Sequence, residues 1–156
     1  MHAGTAEVAA QLRALGVPGE VRFLDEHART AAQAAAQLDV PVAAIANSLV
    51  FAAGDEPVLI LTSGAHRVDT VGVAARIGVP ALDRADPAFV RRHTGQAIGG
   101  VAPVGHPEPV RTIVDAGLAV HPVVWAAAGH PRAVFPTTFD ELVAITGGTP
   151  LQVGPG

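Results

Sequence analysis

Residues 45–53 and 57–62 are two apolar runs rich in Val, Leu and Ile, separated by Gly54-Asp55-Glu56. Turn residues between two such runs predict a β-hairpin whose strands lie centrally in a sheet. Sequential antiparallel strands argue against a purely alternating, doubly wound parallel sheet. The other start and stop signals predict helices around that hairpin. Val8, Leu12 and Leu15 recur at helical spacing over 3–15 and meet Gly16. Thr30-Ala31-Ala32-Gln33 reads as a capping box opening an alanine-rich helix to Leu38, closed by Pro41, and Thr138 to Glu141 reads as a second box opening a helix to Thr146. Asp69 can cap a helix running to Ile77, with Gly78 beyond it, and Asp86-Pro87 opens one that ends before Gly95. Short runs at 21–24, 110–114 and 120–125 read as further strands. The expectation is an α+β fold: one domain over 1–156, with a mixed, curved β-sheet and about five flanking helices. Gly147-Gly148 reads as a short hinge and Gly154-Pro155-Gly156 as a tail.

Composition narrows the chemistry. The chain has 156 residues, of which 31 are alanine, with 5 Phe, 1 Trp and no Tyr, so its core is built from Val, Leu and small side chains and its elements pack closely. The 10 basic residues are all arginine against 14 carboxylates, a formal net charge of -4 with no global field to draw in nucleic acid. The lack of lysine excludes a Schiff-base lysine, a P-loop lysine and a lysine general base. The lack of cysteine excludes disulfides, thiolate catalysis and Cys-ligated metals. No run approaches the ~18 apolar residues of a membrane span and no basic leader precedes an apolar run, so a soluble, cytoplasmic protein is expected.

The densest punctuation is Gly99-Gly100-Val101-Ala102-Pro103-Val104-Gly105-His106-Pro107, with three glycines and two prolines in nine residues. Such a run is either a long structural loop or a place where a ligand approaches bare backbone N–H and C=O groups. It matches neither the dinucleotide fingerprint nor a P-loop. The seven histidines, His2, His27, His66, His93, His106, His121 and His130, contain no i, i+4 pair and no H-E-x-x-H, which favours loop positions over metal ligation. Ser48 and Ser63 are the only serines and neither lies in a G-x-S-x-G elbow. Arg91 and Arg92 form either an anion patch with Arg67 or Arg132, or a solvated helix face.

Three segments taken in order, Thr30-Ala31-Ala32-Gln33-Ala34-Ala35 before the hairpin, Gly64-Ala65-His66-Arg67-Val68-Asp69 opening a helix, and the run from Gly99 to His106, resemble the YbaK/prolyl-tRNA synthetase-associated family. Asp115-Ala116-Gly117-Leu118, Val124-Trp125-Ala126-Ala127-Ala128-Gly129 and Arg132 continue the resemblance. It implies a mixed sheet with flanking helices and a free-standing trans-editing deacylase that hydrolyses the ester of a mischarged transfer RNA. The implied partners are the aminoacylated CCA end and an associated aminoacyl-tRNA synthetase, with no membrane, metal or cofactor. One departure bears on activity. The strand holding Asn47 usually carries a lysine there, associated with the terminal adenosine phosphate, and Asn47 offers only a neutral hydrogen bond of roughly half the strength.

On this resemblance the catalytic positions are Gly99, Gly100 and Asn47. Substrate contacts fall to Thr30, Ser48, Phe51, Ser63, Arg67, Pro103, Gly105, His106, Asp115, Gly129 and Arg132. An aminoacyl ester is already activated, so a positioned water or ribose hydroxyl with backbone donors for the oxyanion suffices without a side-chain nucleophile. Because Asn47 replaces the lysine, the alternative is a non-catalytic binder of the aminoacylated CCA end or of an aminoacyl nucleotide. An unrelated small-molecule hydrolase on the same fold is a third reading.

Overall fold

The computed structural model describes residues 3–154; His2, and Pro155 and Gly156 of the tail, lie outside the described residues. Five helices and eight strands follow one another as α1 (Ala3–Ala14), β1 (Arg22–Phe23), α2 (Ala31–Leu38), β2 (Ile45–Ala53), β3 (Glu56–Ser63), α3 (Thr70–Ile77), β4 (Asp83–Arg84), α4 (Pro87–Thr94), β5 (Arg111–Asp115), β6 (Val124–Ala127), β7 (Ala133–Thr137), α5 (Phe139–Thr146) and β8 (Thr149–Leu151). The strands form one mixed sheet in the order β1-β7-β6-β2-β3-β5-β8, with β4 alongside β2. The α+β architecture expected from the hairpin and its flanking helices is the observed one.

β2 and β3 form that hairpin, antiparallel from Ala46 opposite Ser63 to Ala53 opposite Glu56. The other edge of β2 is shared. β6 runs parallel to it at Ile45 and Ala46, and β4 runs antiparallel to it at Phe51 and Ala52, leaving Asn47 to Val50 without a strand on that side. β3 pairs in parallel with β5 on its far edge, so it is buried on both faces. Leu59 and Leu61 point to the main core with Val8, Leu12, Val90 and Leu142 from α1, α4 and α5. Val58 and Ile60 point the other way, onto Val73 and Ala74 of α3. A third cluster packs Ala34, Ala35 and Leu38 of α2 over Ile45 and Leu24. Each large apolar side chain so buried contributes about 1.5–3 kcal/mol.

The helix starts follow the sequence signals with one shared variation. Thr30 Oγ1 accepts from Gln33 N–H at 3.1 Å, but Gln33 Oε1 accepts from Arg29 N–H at 2.7 Å, one residue before the cap. Thr138 Oγ1 likewise accepts from Glu141 N–H at 3.1 Å, while Glu141 Oε1 accepts from Thr137 Oγ1–H at 2.6 Å. In both boxes the returning side chain secures the residue ahead of the cap. One strand expectation changes, and β7 is a strand where none was expected. The strand expected over 120–125 begins at Val124, because Ala116–Val120 is a 3-10 turn that His121-Pro122 follows. β7 carries no clean strand signal, since Pro136 within it has no N–H to donate and lies opposite Trp125.

Two buried polar groups fix the loops between these elements. Asp115, at the end of β5, is 0% exposed. Its Oδ2 accepts from Ser63 N–H at 2.8 Å and pairs with His66 Nδ1 at 2.7 Å, and its Oδ1 accepts from Gly117 N–H at 2.9 Å. One carboxylate thus ties the end of β3, the turn into α3 and the 3-10 turn after β5. Gln96 does the same for the Gly/Pro run, accepting from Ala102 N–H at 2.7 Å and donating to Val104 C=O at 3.1 Å. His106 Nε2–H donates to Ala102 C=O at 2.8 Å, and burial lowers the pKa of His106 below its ordinary 6.5 despite the raising effect of that bond.

Two outcomes follow from these groups. Asp115→Ala leaves two backbone N–H groups unsatisfied and should cost about 3 kcal/mol, roughly 10 °C in Tm by thermal unfolding. Because His106 is held neutral, its contribution to stability is complete above the unfolded value of 6.5 and is lost as pH falls through it toward the lower folded value. The Tm of the parent should therefore fall more than that of His106→Gln between pH 8 and pH 5.5. Equal falls would show that His106 is not the group being protonated.

Candidate functional site

The space under α2 is not filled to the sheet. A pocket of about 150 Å³ opens there, bounded by α2 and its approach, by the start of β2, by the Gly99–Val101 turn, and by β6 and β7 with the loop between them. Its floor is the third apolar cluster: Leu24, Ala34 and Ile45, with Ala31, Trp125 and Val134 partly buried around them. Alanine makes the space, because Ala28, Ala31 and Ala34 line it from the α2 side and Ala126, Ala127 and Ala133 from the sheet side. The rim is polar. Arg29, Thr30, Asn47, Ser48 and His130 reach it from three separate stretches, and none of the 20 lining residues is a carboxylate.

Local structure explains each rim position. Asn47 and Ser48 occupy the stretch of β2 that follows its last pairing with β6, where no strand covers the edge. Ser48 Oγ is buried and has no hydrogen-bond partner, as does Thr5 Oγ1 in α1. A hydroxyl with no hydrogen-bonded base is not an activated nucleophile, and this one is enclosed as well as unpaired. His130 Nδ1 accepts from Arg132 N–H at 3.1 Å, which in the neutral ring leaves the proton on Nε2. Its ring also lies tilted against Phe23, with centroids 6.1 Å apart.

The glycines of the turn differ in what they allow. Gly99 lines the pocket with φ 91° and open space where a Cβ would be, so its backbone is exposed and uncovered there. Gly100 is buried, and a Cβ there would lie 2.6 Å from the carbonyl carbon of His130 and 2.8 Å from Pro131 N. Gly100 C=O also accepts from Gly129 N–H at 2.9 Å. Gly100 is therefore required for contact between two backbones, and that contact sets the distance from the turn to the β6–β7 loop.

Of the residues expected at the site, Asn47, Gly99, Gly100, Thr30 and Ser48 are brought together around this pocket. Gly129 is bonded to its wall. The others are elsewhere. Phe51 packs on the α3 side of the sheet, and Ser63 Oγ–H donates to Ala43 C=O at 2.8 Å. Asp115 is enclosed in its own network. Pro103, Gly105 and His106 border a separate hollow beside α1. Arg67 is exposed and does not line the pocket. Arg132 acts on the pocket from behind, its guanidinium donating to Leu24 C=O at 2.8 and 2.9 Å and to Asp25 C=O at 2.9 Å. Arg29, Trp125 and His130 were not singled out in the sequence. For Arg29 and His130 the signal there is adjacency, to the Thr30 cap and to Gly129, and for Trp125 it is a place in the segment from Val124 to Gly129.

Among the described residues no group of three His, Asp or Glu side chains could hold a metal ion, and no helix is long and apolar enough to cross a membrane. Comparison with known proteins then gives the site a family. A solved structure described as a candidate trans-editing enzyme for prolyl tRNA synthetase is 39% identical, with TM-score 0.92, covering 100% of this chain and 99% of that one. A scaffold protein from work on computational epitope grafting is 36% identical, with TM-score 0.93 and 100% of both chains covered. Curated relatives include proline–tRNA ligases of Leuconostoc mesenteroides, 34% identical over 87 residues (56% of this chain, 15% of the ligase), and of Latilactobacillus sakei, 32% over 101 residues (65% and 17%). The chain thus spans about a sixth of the length of those ligases. The aminoacyl-tRNA editing domain model matches residues 25–145, a span that contains every residue lining the pocket except Leu24, and the chain belongs to that family.

Proposed function

We propose that this protein is a trans-acting deacylase that hydrolyses the ester between an amino acid and the 3′-terminal ribose of a transfer RNA. The observation that carries the reading is the pocket itself: an alanine-walled apolar floor beneath a polar rim free of carboxylates, to which Asn47 and the bare Gly99 backbone both contribute. Family membership supports it, as does the likeness to a protein described as a candidate trans-editing enzyme for prolyl tRNA synthetase. Its relation to proline–tRNA ligases supports a synthetase as working partner, and its substrate would place it in the cytoplasm.

In this reading the amino-acid side chain enters the alanine-lined floor and the ester carbonyl lies at the rim. A water, or the neighbouring ribose hydroxyl, attacks the acyl carbon. The carbonyl oxygen takes up negative charge, and the bond to the ribose oxygen breaks as that oxygen gains a proton. Water attack gives the free amino acid directly; ribose attack moves the acyl group to the neighbouring hydroxyl, from which water then releases it. Gly99 N–H and the Asn47 side-chain amide supply donors for the developing oxyanion. Ser48 Oγ, enclosed and with no hydrogen-bonded base, is not the attacking group.

Single-turnover deacylation across a panel of mischarged transfer RNAs tests this. The parent should release amino acid from at least one. Asn47→Ala should slow release about 10- to 100-fold, the loss of one hydrogen bond to a charged group. Gly99→Ala should impair release with a modest loss of Tm, because φ 91° strains an L side chain there, whereas Gly100→Val should lower Tm further, because it forces the His130–Pro131 backbone away. Ser48→Ala should retain turnover; its abolition would instead make Ser48 the nucleophile. Protection of every ester without release would replace the deacylase by a binder of the charged CCA end.

A further inference from the structure

Phosphate recognition in a chain without lysine falls to arginine, and the pocket decides which one. Of the ten arginines only Arg29 lines it. Arg132 is committed to the carbonyls of Leu24 and Asp25, and Arg67 lies away from the pocket. The Arg29 guanidinium makes no hydrogen bond or ion pair among the described residues, while its backbone is pinned: its N–H donates to Gln33 Oε1 at 2.7 Å, directly ahead of the Thr30 cap. A fixed backbone beneath an uncommitted guanidinium is a ready anion contact. The surroundings favour the same sign. This chain carries 14 carboxylates and a net charge of -4, yet none of those carboxylates lines the pocket.

We propose that Arg29 holds the phosphate of the substrate's terminal nucleotide, supplying from the α2 side the positive charge that Asn47 does not supply from β2. This rests on the deacylase reading only in placing a nucleotide at the rim. The bound ligand then spans the pocket, with its phosphate at Arg29, its ester near Gly99 and Asn47, and its acyl side chain on the alanine floor.

Trp125 lines the pocket and is the chain's only Trp, with no Tyr present, so its fluorescence reports binding directly and without turnover. The test titrates adenosine and AMP into the parent, Arg29→Ala, Arg29→Lys, and Arg29→Ala combined with Asn47→Lys, with equilibrium dialysis as a second readout. The parent should bind AMP about tenfold more tightly than adenosine. Arg29→Ala should bind the two alike, with its affinity for adenosine unchanged. Both lysine-bearing variants should recover most of the preference, the second because it moves the cation across the pocket. An AMP preference that survives Arg29→Ala overturns the assignment of Arg29 and leaves the deacylase reading standing. A loss that neither lysine restores places the effect in the Thr30 turn and not in charge, and also overturns it. If neither nucleotide binds the parent by either readout at millimolar concentration, the assignment of Arg29 falls, and the single-turnover assay decides the deacylase reading by itself.

Discussion

β2 is hydrogen-bonded to β3 along nearly its whole length on one edge and to other strands only near its two ends on the opposite edge. The pocket depends on that asymmetry. Pairing with β3, itself buried on both faces, holds β2 rigidly in the sheet. The interruption on the other edge leaves Asn47 and Ser48 beside a cavity instead of beside a neighbouring strand. A backbone edge left open in the middle of a sheet is ordinarily a liability. Here α2 and the Gly99–Val101 turn border its first two residues, Asn47 and Ser48, which makes that part of the edge the wall of a recess.

The same economy of material appears in the side chains around it. Alanine on α2 and on β6 lets helix and sheet approach without filling the space between them, so small residues enlarge the recess that the interrupted edge begins. Glycine serves two different ends in adjacent positions. Gly100 lets the turn and the His130–Pro131 backbone touch, and Gly99 leaves backbone uncovered at the rim. Arg132 and Asp115 stabilise what lies behind the pocket, by tying β1 to the β6–β7 loop and β3 to β5. Their burial or saturation with backbone partners explains why residues that stand in family-like motifs do not face the cavity.

Much of the fold was legible because its signals are local. The hairpin shows as two apolar runs around a Gly-Asp-Glu turn, and the starts of α2, α3, α4 and α5 show as Thr30, Asp69, Asp86 and Thr138, each accepting from a backbone N–H three residues on. β7 was not legible, since Pro136 contradicts strand pattern and only its place between β1 and β6 makes it one. β4 and β8, of two and three residues, are too short to carry a period. At the site, Asn47, Gly99 and Gly100 could be named because they stand in recognisable motifs. Arg29 and Trp125 could not, because standing beside the Thr30 cap or in the strand before Gly129 does not tell that a side chain lines a cavity.

The amino-acid sequence by itself determined the hairpin, the capped helices, the dense Gly/Pro run and the chemistry that a chain without lysine and cysteine cannot perform. These follow from backbone preferences and functional groups that each residue carries wherever it is placed. Tertiary structure alone decided which polar groups meet. Thr30, Asn47, Gly99 and His130 lie on four stretches of chain, and the sheet order β7-β6-β2 together with the packing of α2 brings them to one rim. It also decided that Asp115, Ser63 and Arg132 do not join them. Whether a polar side chain faces a ligand or satisfies a buried backbone group depends on the neighbours that folding supplies, and those neighbours are distant in sequence.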